Sequence, residues 1–459
     1  MKHSASLHRK RGFLIVTAAV ALLGSRSISA QTSDPTRQPS SASPLSLSAA
    51  TQEALTNNLS FRAELERIGV AEGQVRQAEL RPNPVASATI ATDRFAANEG
   101  EGSRSAGIDQ EFETAGKRRY RILTARSDLD RTRHDTEVAE RDLIAQTQQT
   151  YFTLLLDERD LDLAHRTSDV IERFVGLNRK RVQAGDLPGL ELNLAEVELA
   201  RARKNEQDFE RRYRETSAQL NLLLGRPQDS PPVEPASDFS PPEPSLPDGR
   251  AFVEYAVLHR PDLLAAESNL EARTNAVRLA RAFRIPNVTL GLSYERQRSI
   301  LGVDNGLLLG SRLDRLVAFT ASVPLPLFGR NQGNIASAEY EKRAAAESAL
   351  YLRSIVGSQI AQALSNYRAH VSTQALFERS ILPQLEKNLD AITEAYRLGN
   401  ESIFAVIQVQ RTYFETRHEY LQTLIDLEND RIALEKAAGL PFDQAIRVPA
   451  ADEKSEGNQ

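Results

Sequence analysis

The feature that most constrains this chain is an internal duplication, visible as punctuation residues that recur at a nearly constant spacing. Three glycines in the first half each have a counterpart in the second half at almost the same offset along the chain. The pairs are Gly116 with Gly329, Gly185 with Gly399, and Gly225 with Gly439. The proline-containing segments 81–84 and 283–286 also match, at a shorter offset. The two halves therefore differ by one insertion of 11 residues between Pro286 and Gly329.

The duplication sets the predicted domain organisation. The first repeat covers residues 47–225, and the second repeat covers residues 250–440. The segment 226–249 between them holds eight prolines, a composition typical of an extended connector. A linker, 31–46, precedes the first repeat, and a polar tail, 441–459, follows the second.

The first thirty residues, 1–30, have the pattern of a signal peptide. A basic start precedes the apolar run Gly12–Gly24, which is too short to span a bilayer. Cleavage after Ala30 would leave a mature chain with a net charge of about −10, because the signal carries five Lys or Arg and no Asp or Glu. The alternative is an uncleaved anchor. No later apolar run is long enough for a membrane-spanning helix, so we expect any contact with a membrane to be made by β-strands.

Each repeat is predicted to begin with a helix, over 47–80 and 250–283, which a proline-containing segment ends. A β-hairpin follows. In the second repeat, apolar residues alternate with polar ones along both strands, which indicates one apolar face. The alternating apolar residues are Val288, Leu290, Leu292 and Tyr294, and Val317, Phe319, Ala321 and Val323. In the first repeat, the strands 84–95 and 103–113 are more polar, with a turn at 96–102.

After the first hairpin, residues 116–183 contain no proline and predict one helix about 100 Å long. Gly185 then turns the chain, and apolar or nearly apolar residues recur every three or four positions from Leu192 to Leu223. This spacing is typical of a coiled-coil seam, and we expect the helix to end at Gly225. The first and last helices together match the long helix in length, so we expect them to meet end to end alongside it.

Four strands per chain cannot close on themselves, and open strand edges are not tolerated in lipid. The fold class is therefore predicted to be mainly α with a small membrane β-barrel contribution. Three copies would share a 12-stranded barrel above an α-helical tunnel. The alternative is a soluble coiled-coil bundle whose hairpins decorate one end. The export signal, the strand length and the apolar face favour the membrane form.

The composition excludes several kinds of chemistry. The chain has no cysteine, so disulfides, thiol catalysis and cysteine-based metal sites are impossible. The five histidines outside the signal are scattered, without the spacing of a metal site. The acidic balance offers no basic stripe for nucleic acid. We therefore expect no catalytic residue, no metal site and no cofactor.

Two junction segments resemble a known family. Residues 109–118 (DQEFETAGKR) are similar to the strand-to-helix junction of TolC-type outer-membrane efflux proteins, in particular their cation-efflux, cobalt-zinc-cadmium resistance branch. Residues 324–330 (PLPLFGR) resemble the second junction, and the turns at Gly185 and Gly399 resemble the paired periplasmic tips. The resemblance covers residues 45–445. It implies a homotrimeric exit duct in the outer membrane of a Gram-negative bacterium, reaching into the periplasm through its helices and contacting outer-membrane lipid.

The resemblance also implies partners: a periplasmic adaptor protein and an inner-membrane pump, often of the resistance-nodulation-division class. The tip residues would then meet the adaptor, although each glycine taken alone could serve an ordinary turn. They are Gly185, Asp186, Leu187, Gly399, Asn400, Ser402 and Ile403.

In the family, acidic residues can face the pore mouth from the helix after the second tip. Here those positions are Ala405 and Gln408, and the first-repeat equivalent of Ala405 is Glu191. The hypothesis is a ring of three Glu191 carboxylates that attracts cations, metal ions among them; the alternative is a solvated helix-surface glutamate. The competing class for the whole protein is an exported periplasmic adaptor or scaffold that forms no pore, and an enzyme comes third.

Overall fold

The computed structural model describes residues 44–92, 101–236, 249–300, 303–304, 307–308 and 310–439. The predicted signal peptide, the C-terminal tail, most of the N-terminal linker and most of the first hairpin turn lie outside the described residues. Within the described part of the chain, no helix combines the length and apolar character needed to cross a membrane.

The first repeat follows the predicted order of helix, hairpin, long helix and helix. Its elements are α1 (Leu47–Asn57), α2 (Leu59–Glu79), β1 (Val85–Thr92), β2 (Gly102–Phe112), α3 (Lys117–Ala184) and α4 (Gly189–Leu223). The long helix α3 has 68 residues and runs without interruption, as predicted. It ends at Gly185, which has the positive φ of 81° that glycine adopts without strain.

The second repeat has the same order with more interruptions. Its elements are α5 (Gly249–His259), α6 (Pro261–Ala282), β3 (Val288–Ile300), β4 (Val303–Asp304), β5 (Leu307–Leu308), β6 (Ser311–Ser322), α7 (Gln332–Leu376), a π-helical turn (Phe377–Ile381), α8 (Leu382–Arg397) and α9 (Ile403–Ala438). The π-helical turn lies just before Pro383. Because proline has no N–H and its ring collides with the preceding turn, a regular α-helix is disfavoured there.

The predicted single helices 47–80 and 250–283 are wrong in one respect, because each is broken near its start. Asn58 separates α1 from α2, and its side chain accepts a hydrogen bond from the backbone N–H of Phe61 at 3.0 Å. Arg260 separates α5 from α6 and precedes Pro261, the first residue of α6. A capping side chain and a first-turn proline each begin a new helix, and the sequence prediction overlooked both signals.

These two breaks are the points at which the last helix of each repeat meets the first. The Asn58 amide donates to the carbonyl oxygen of Leu223 at 2.9 Å, near the end of α4. At the equivalent place in the second repeat, the Arg260 guanidinium donates to the carbonyl oxygen of Ala437 at 3.1 Å. The predicted end-to-end meeting is therefore present. It occurs at the helix break, where the end of α4 meets the start of α2 and the end of α9 meets the start of α6.

The start of the second long helix also differs from the prediction. Gly329 was paired with Gly116, which caps α3 with a φ of 72°. In the structure, Asn331 caps α7 with a φ of 60°, and its amide donates to the carbonyl oxygen of Ala280 at 2.8 Å. Asparagine tolerates this left-handed conformation better than most residues. The helix cap therefore has the same backbone conformation in both repeats, but in the second repeat it lies two residues after Gly329.

The described part of the Pro-rich connector, 226–236, forms no helix, as predicted, although it makes a turn at 227–230 before it runs along the first repeat. Pro235 forms a parallel bridge with Leu45. The Tyr213 hydroxyl donates to the carbonyl oxygen of Val233 at 2.8 Å, and the Tyr151 hydroxyl accepts from the backbone N–H of Ala236 at 3.1 Å. Several helix side chains thus satisfy connector backbone groups that proline-rich segments cannot pair among themselves.

The strands form one antiparallel sheet in the order β1-β2-β3-β6, so the two hairpins lie side by side. The separate pair β4 and β5 belongs to the longer second hairpin. Among the described residues, β1 and β6 each pair with only one strand and form the two edges. The helices pack around three main apolar clusters. One lies at mid-length of α3, one between α5, α7 and α9, and one near the Gly185 and Gly399 turns.

Candidate functional site

The turns at Gly185 and Gly399 have the same backbone geometry. Gly185 has a φ of 81° and Gly399 a φ of 80°. In both, the glycine N–H donates to the carbonyl oxygen three residues back, at 3.1 and 3.0 Å. The next N–H, of Asp186 or Asn400, donates to the carbonyl oxygen five residues back at 2.9 Å. Two equivalent helix-to-helix turns therefore occupy matching positions in the two repeats, as the duplication predicted.

Most of the predicted tip residues are accessible. Asp186, Asn400 and Ser402 are exposed, and Leu187 is half-buried. The Ser402 hydroxyl also accepts from the backbone N–H of Ala405 at 3.3 Å, which caps α9. Ile403 differs from the expectation, because its side chain is only 1% exposed. It supports the tip from inside and has no surface to offer a partner.

Behind the turns, a buried aromatic group joins the two repeats. The Tyr396 hydroxyl of α8 donates to the side-chain oxygen of Asn178 in α3, and the Tyr396 ring meets Phe174 edge-on at 5.3 Å between ring centroids. Burial raises the pKa of Tyr396, and Arg181 beside it acts in the opposite direction. This packing joins the helices that precede the two turns in one buried cluster.

Glu191, Ala405 and Gln408 lie near the starts of the two helices that follow the turns. Glu191 lies in the first turn of α4 and is half-buried. Its charge contributes to the raised pKa of Tyr396, which places the carboxylate within electrostatic reach of the buried tyrosine. Ala405 is half-buried and Gln408 is exposed, and neither carries charge. Of these three residues, only Glu191 brings a charge to the helix starts beside the turns.

One face of the four-stranded sheet is an apolar surface that meets no other described element. Residues paired directly across an antiparallel ladder share a face, so the register places the alternating apolar residues of both hairpins together. Ile108 lies opposite Leu292, which lies opposite Phe319, and the next row holds Ala106, Tyr294 and Val317. Phe319 is 83% exposed, and Ile108, Leu292, Tyr294 and Val317 are exposed as well. The outward apolar face that the sequence predicted is confirmed and extends into the first hairpin.

The opposite face of the sheet is polar. It carries Ser, Thr and Gly positions together with most of the carboxylates of the strands. Those carboxylates belong to Asp109, Glu111, Glu295 and Asp314. Gly291 lies on this face between Asp109 and Thr320, where an added Cβ atom would overlap the Asp109 carboxylate. Such a two-faced sheet can separate an apolar medium from water.

A buried lysine joins the two halves where the strands meet the helices. Lys117, the first residue of α3, is 2% exposed. Its ammonium group donates to the carbonyl oxygen of Ile285 at 2.5 Å and to the Asn287 side chain, both from the second repeat. Burial lowers the pKa of Lys117, and the nearby carboxylate of Glu113 opposes that change. The junction segment 109–118 therefore contacts the second repeat through Lys117.

Four of the five histidines in the described part of the chain form separate pairs with carboxylates, and the fifth, His259, contacts the carbonyl oxygen of Tyr255. His418 lies 2.9 Å from the Asp160 carboxylate, and His370 lies 2.5 Å from that of Asp430. The bond to Asp160 raises the pKa of His418, while burial acts against it. Across the described ranges, no group of three or more His, Cys, Asp or Glu side chains is placed to hold a metal ion.

These features define the class of the protein: a helical channel protomer with a two-faced sheet at one end and paired helix turns at the other. The family model described as outer membrane efflux protein matches residues 50–226 and 253–440, the two repeats. The chain belongs to this family, whose members are outer-membrane efflux channels with a long periplasmic helical part, and not enzymes. They act with a periplasmic adaptor and an inner-membrane pump, and they are typically trimeric.

Individual relatives agree with this assignment. The chain is 25% identical to the cobalt-zinc-cadmium resistance protein CzcC of Cupriavidus metallidurans, covering 90% of this chain and 96% of that protein. It is 26% identical to the cation efflux system protein CusC of Escherichia coli K12, covering 83% of this chain and 82% of that one. The solved structure of the Campylobacter jejuni CmeC outer membrane channel superposes with a TM-score of 0.72 at 16% identity, over 88% of this chain and 89% of that one.

The sequence alone did not reveal two features, one buried contact and one exposed surface. The contacts of Lys117 were not predicted, because nothing local shows that Ile285 and Asn287 will lie beside it. The exposed stripe Leu190, Leu194 and Val197 on α4 was also missed, although its spacing of four and then three positions marks one helix face. Comparing both faces of α4, instead of only the seam toward α3, would have found it.

Proposed function

We propose that three copies of this chain form an exit duct that passes metal cations from a resistance-nodulation-division pump and its adaptor to the exterior. The observation that carries the proposal is the four-stranded sheet with two open edges and opposite faces of different polarity. An edge strand in lipid needs a partner for its backbone groups, and a neighbouring copy supplies one. Three sheets joined edge to edge would turn their apolar faces to the lipid and their polar faces to the pore.

The exposed stripe on α4 supports the same assembly. Leu190, Leu194 and Val197 lie near the Gly185 turn, and each is between 45% and 68% exposed. An apolar stripe at this spacing is suited to packing against a helix of a neighbouring copy. The stripe would close the helical part of the duct just as the open strands close the membrane part.

The proposed substrate class follows from the relatives. Proteins named for cobalt, zinc and cadmium resistance and for cation efflux match over most of this chain. The test is metal tolerance in a strain that lacks this protein but keeps its pump and adaptor. Restored tolerance to cobalt, zinc or cadmium supports the proposal, and restored tolerance only to organic compounds contradicts it.

Assembly has its own test, which also addresses the alternative of a pore-free periplasmic adaptor or scaffold. Outer-membrane fractions are run on denaturing gels with and without boiling. We expect a band of three chains that boiling converts to a single chain. A soluble periplasmic monomer would rule out the exit duct.

The six tip residues other than Ile403 remain our proposed adaptor-binding region, and buried Ile403 supports them from inside. The chain has no cysteine, so single cysteines introduced at Asp186 and Asn400 give an unambiguous crosslinking site. We expect both to crosslink to the adaptor in cells. A cysteine at exposed Arg353 on α7 is the matched control, and equal crosslinking from that position would contradict tip binding.

The proposed role of Glu191 is to attract cations at the pore mouth. Three copies would bring three carboxylates to one opening, where a negative field raises the local cation concentration. Glu191→Gln should lower the cation preference of single channels in planar bilayers. The control is Glu196→Gln on the same helix, a glutamate paired with Arg179 at 2.8 Å. Unchanged preference in Glu191→Gln would show that the residue is an ordinary surface glutamate.

A further inference from the structure

Three arginines lie side by side on neighbouring strands of the apolar sheet face. Arg104 on β2 is directly opposite Arg296 on β3, which is directly opposite Arg315 on β6. Neighbouring strands are about 4.8 Å apart, so the three Cα atoms span roughly 10 Å. Arg298 lies two residues further along β3 on the same face. All four side chains are exposed.

Among the described strand residues, these arginines have no counter-charge on their own face. The carboxylates of the four strands, on Asp109, Glu111, Glu295 and Asp314, all occupy the opposite face. Among the described residues, Arg104, Arg296 and Arg315 take part in no ion pair. Like charges placed directly opposite each other in a sheet are destabilising, so this row would gain stability from an external anion.

The position of the row identifies the kind of anion. Along β3, the outward positions from Val288 to Tyr294 are apolar and cover about 20 Å of strand, and Arg296 follows immediately. The helices begin at the other end of the strands, so the row marks the border of the apolar band that is remote from the helices. A membrane whose hydrocarbon core matches this band places its lipid headgroups at that border.

We propose that Arg104, Arg296 and Arg315 bind the phosphate groups of lipid headgroups in the leaflet remote from the helices. A guanidinium group binds phosphate through two parallel hydrogen bonds and is the side chain best suited to this contact. Three guanidinium groups within roughly 10 Å can hold a headgroup with two phosphates. The site rests on the proposed function, because it needs the apolar face turned to lipid, and the trimer would carry it three times.

Other occupants fit this row less well. A second copy of the chain is expected to join through the open edges of β1 and β6, and the arginine row lies on a face between those edges. A free phosphate ion would meet the same charges, but it would gain nothing from the adjoining row of Ala106, Tyr294 and Val317. A lipid uses both the charge and the apolar surface.

The test measures lipid retained by the purified full-length assembly in a neutral detergent, by native mass spectrometry. The probes are diphosphoryl lipid A, monophosphoryl lipid A and phosphatidylcholine. The variant is the triple substitution Arg104→Gln, Arg296→Gln and Arg315→Gln. The control removes three positive charges from exposed helix positions that form no ion pair with a described residue, through Arg62→Gln, Arg353→Gln and Arg368→Gln.

We expect the wild type and the control to retain diphosphoryl lipid A most strongly and phosphatidylcholine least. The triple sheet variant should lose affinity for diphosphoryl lipid A on the order of a hundredfold, since each arginine near a charged surface contributes about a fivefold step in affinity. Equal retention by the sheet variant and the wild type would overturn the proposal. An equal loss in the control would do so as well.

Two further outcomes show which claim has failed: the lipid assignment, the arginine site or the trimeric duct. Displacement of lipid A by millimolar inorganic phosphate would assign the row to a free anion and overturn the lipid assignment. The same spectra report the number of chains in each particle. A wild-type monomer would refute the trimeric duct itself, whereas an intact trimer with unselective lipid retention would refute only the arginine site.

Discussion

At the residue scale, the two glycines that end helices in the first repeat differ in their surroundings. Comparing them distinguishes the cost of backbone strain from the cost of steric overlap. Gly225 and Gly185 both have positive φ, 68° and 81°. An added Cβ atom at Gly225 would overlap the backbone carbonyl group of Asn57, whereas at Gly185 nothing lies within 4 Å. Gly225 thus combines a required conformation with a close approach between α4 and α1.

We therefore expect unequal losses of stability from the same substitution. Gly185→Ala should cost about 1–2 kcal/mol, the strain of a left-handed residue that carries a Cβ. Gly225→Ala should cost about 3 kcal/mol or more, because the backbone of Asn57 must also move. Thermal unfolding of the two variants, compared with the wild type, measures the difference. Equal midpoints would mean that the contact between Gly225 and Asn57 is looser than the structure shows.

His418 predicts a pH dependence of stability. Its hydrogen bond to Asp160, which is 1% exposed, raises the pKa of His418 above the usual value of 6.5. A raised folded-state pKa adds stability that is complete below pH 6.5 and is lost as the pH rises through the folded value. The wild type should therefore lose more stability than His418→Gln between mildly acidic and mildly alkaline pH. Parallel melting curves for the two proteins over that range would contradict this role.

At the element scale, the junction between strands and helices depends on a charge buried between the repeats. Lys117→Met keeps the volume but leaves the Ile285 carbonyl and the Asn287 side chain without their donor. Hydrogen bonds to charged groups contribute about 1.5–3 kcal/mol each, so we expect the loss of both to cost about 3–6 kcal/mol. The matched control is Arg119→Met, at an exposed residue on the same first turn of α3.

Limited proteolysis reports this loss locally. Cleavage near 283–287 and 113–117 should accelerate in Lys117→Met, while the tips at Gly185 and Gly399 stay as resistant as in the wild type. Unchanged cleavage at the junction, or equal acceleration in Arg119→Met, would show that Lys117 contributes only ordinary packing.

The two helix breaks show that the same arrangement of helices can be stabilised by different side chains. Asn58 and Arg260 occupy equivalent positions in the two repeats, and each donates to a carbonyl oxygen near the end of the last helix of its repeat. The Arg260 guanidinium is also held by Asp262, at 2.6 Å. Both side chains satisfy helix-end carbonyl groups that would otherwise be buried without a partner.

At the scale of the whole molecule, the two faces of the sheet predict different costs for an added positive charge. Phe319→Arg places a charge in the outward apolar face, which costs about 2–4 kcal/mol near the middle of a bilayer. Thr320→Arg, one residue away on the polar face near Asp109, should cost far less. The amount of boiling-sensitive trimer in outer-membrane fractions measures the outcome. Equal yields of the two variants would contradict the assignment of the faces.

Much of the architecture follows from local sequence signals. The absence of proline from 116–183 predicted the 68-residue helix α3, and the glycines at 185 and 399 predicted two turns whose geometry proved equal. The duplication predicted two repeats, and the period-two pattern of β3 predicted its apolar face. Each of these depends on neighbouring residues along the chain, where backbone preference and side-chain spacing act directly.

Only the tertiary structure decided which distant residues meet. Ile403 looked like part of an exposed tip, but the packing of α3, α8 and α9 buries it. Lys117 finds its acceptors 168 and 170 residues away. Arg104 and Arg296 share a face because of the register between β2 and β3, and a slip of one residue would have placed them on opposite faces. Such contacts depend on how separate elements dock and align, and that is set by the burial of whole faces, beyond any local pattern.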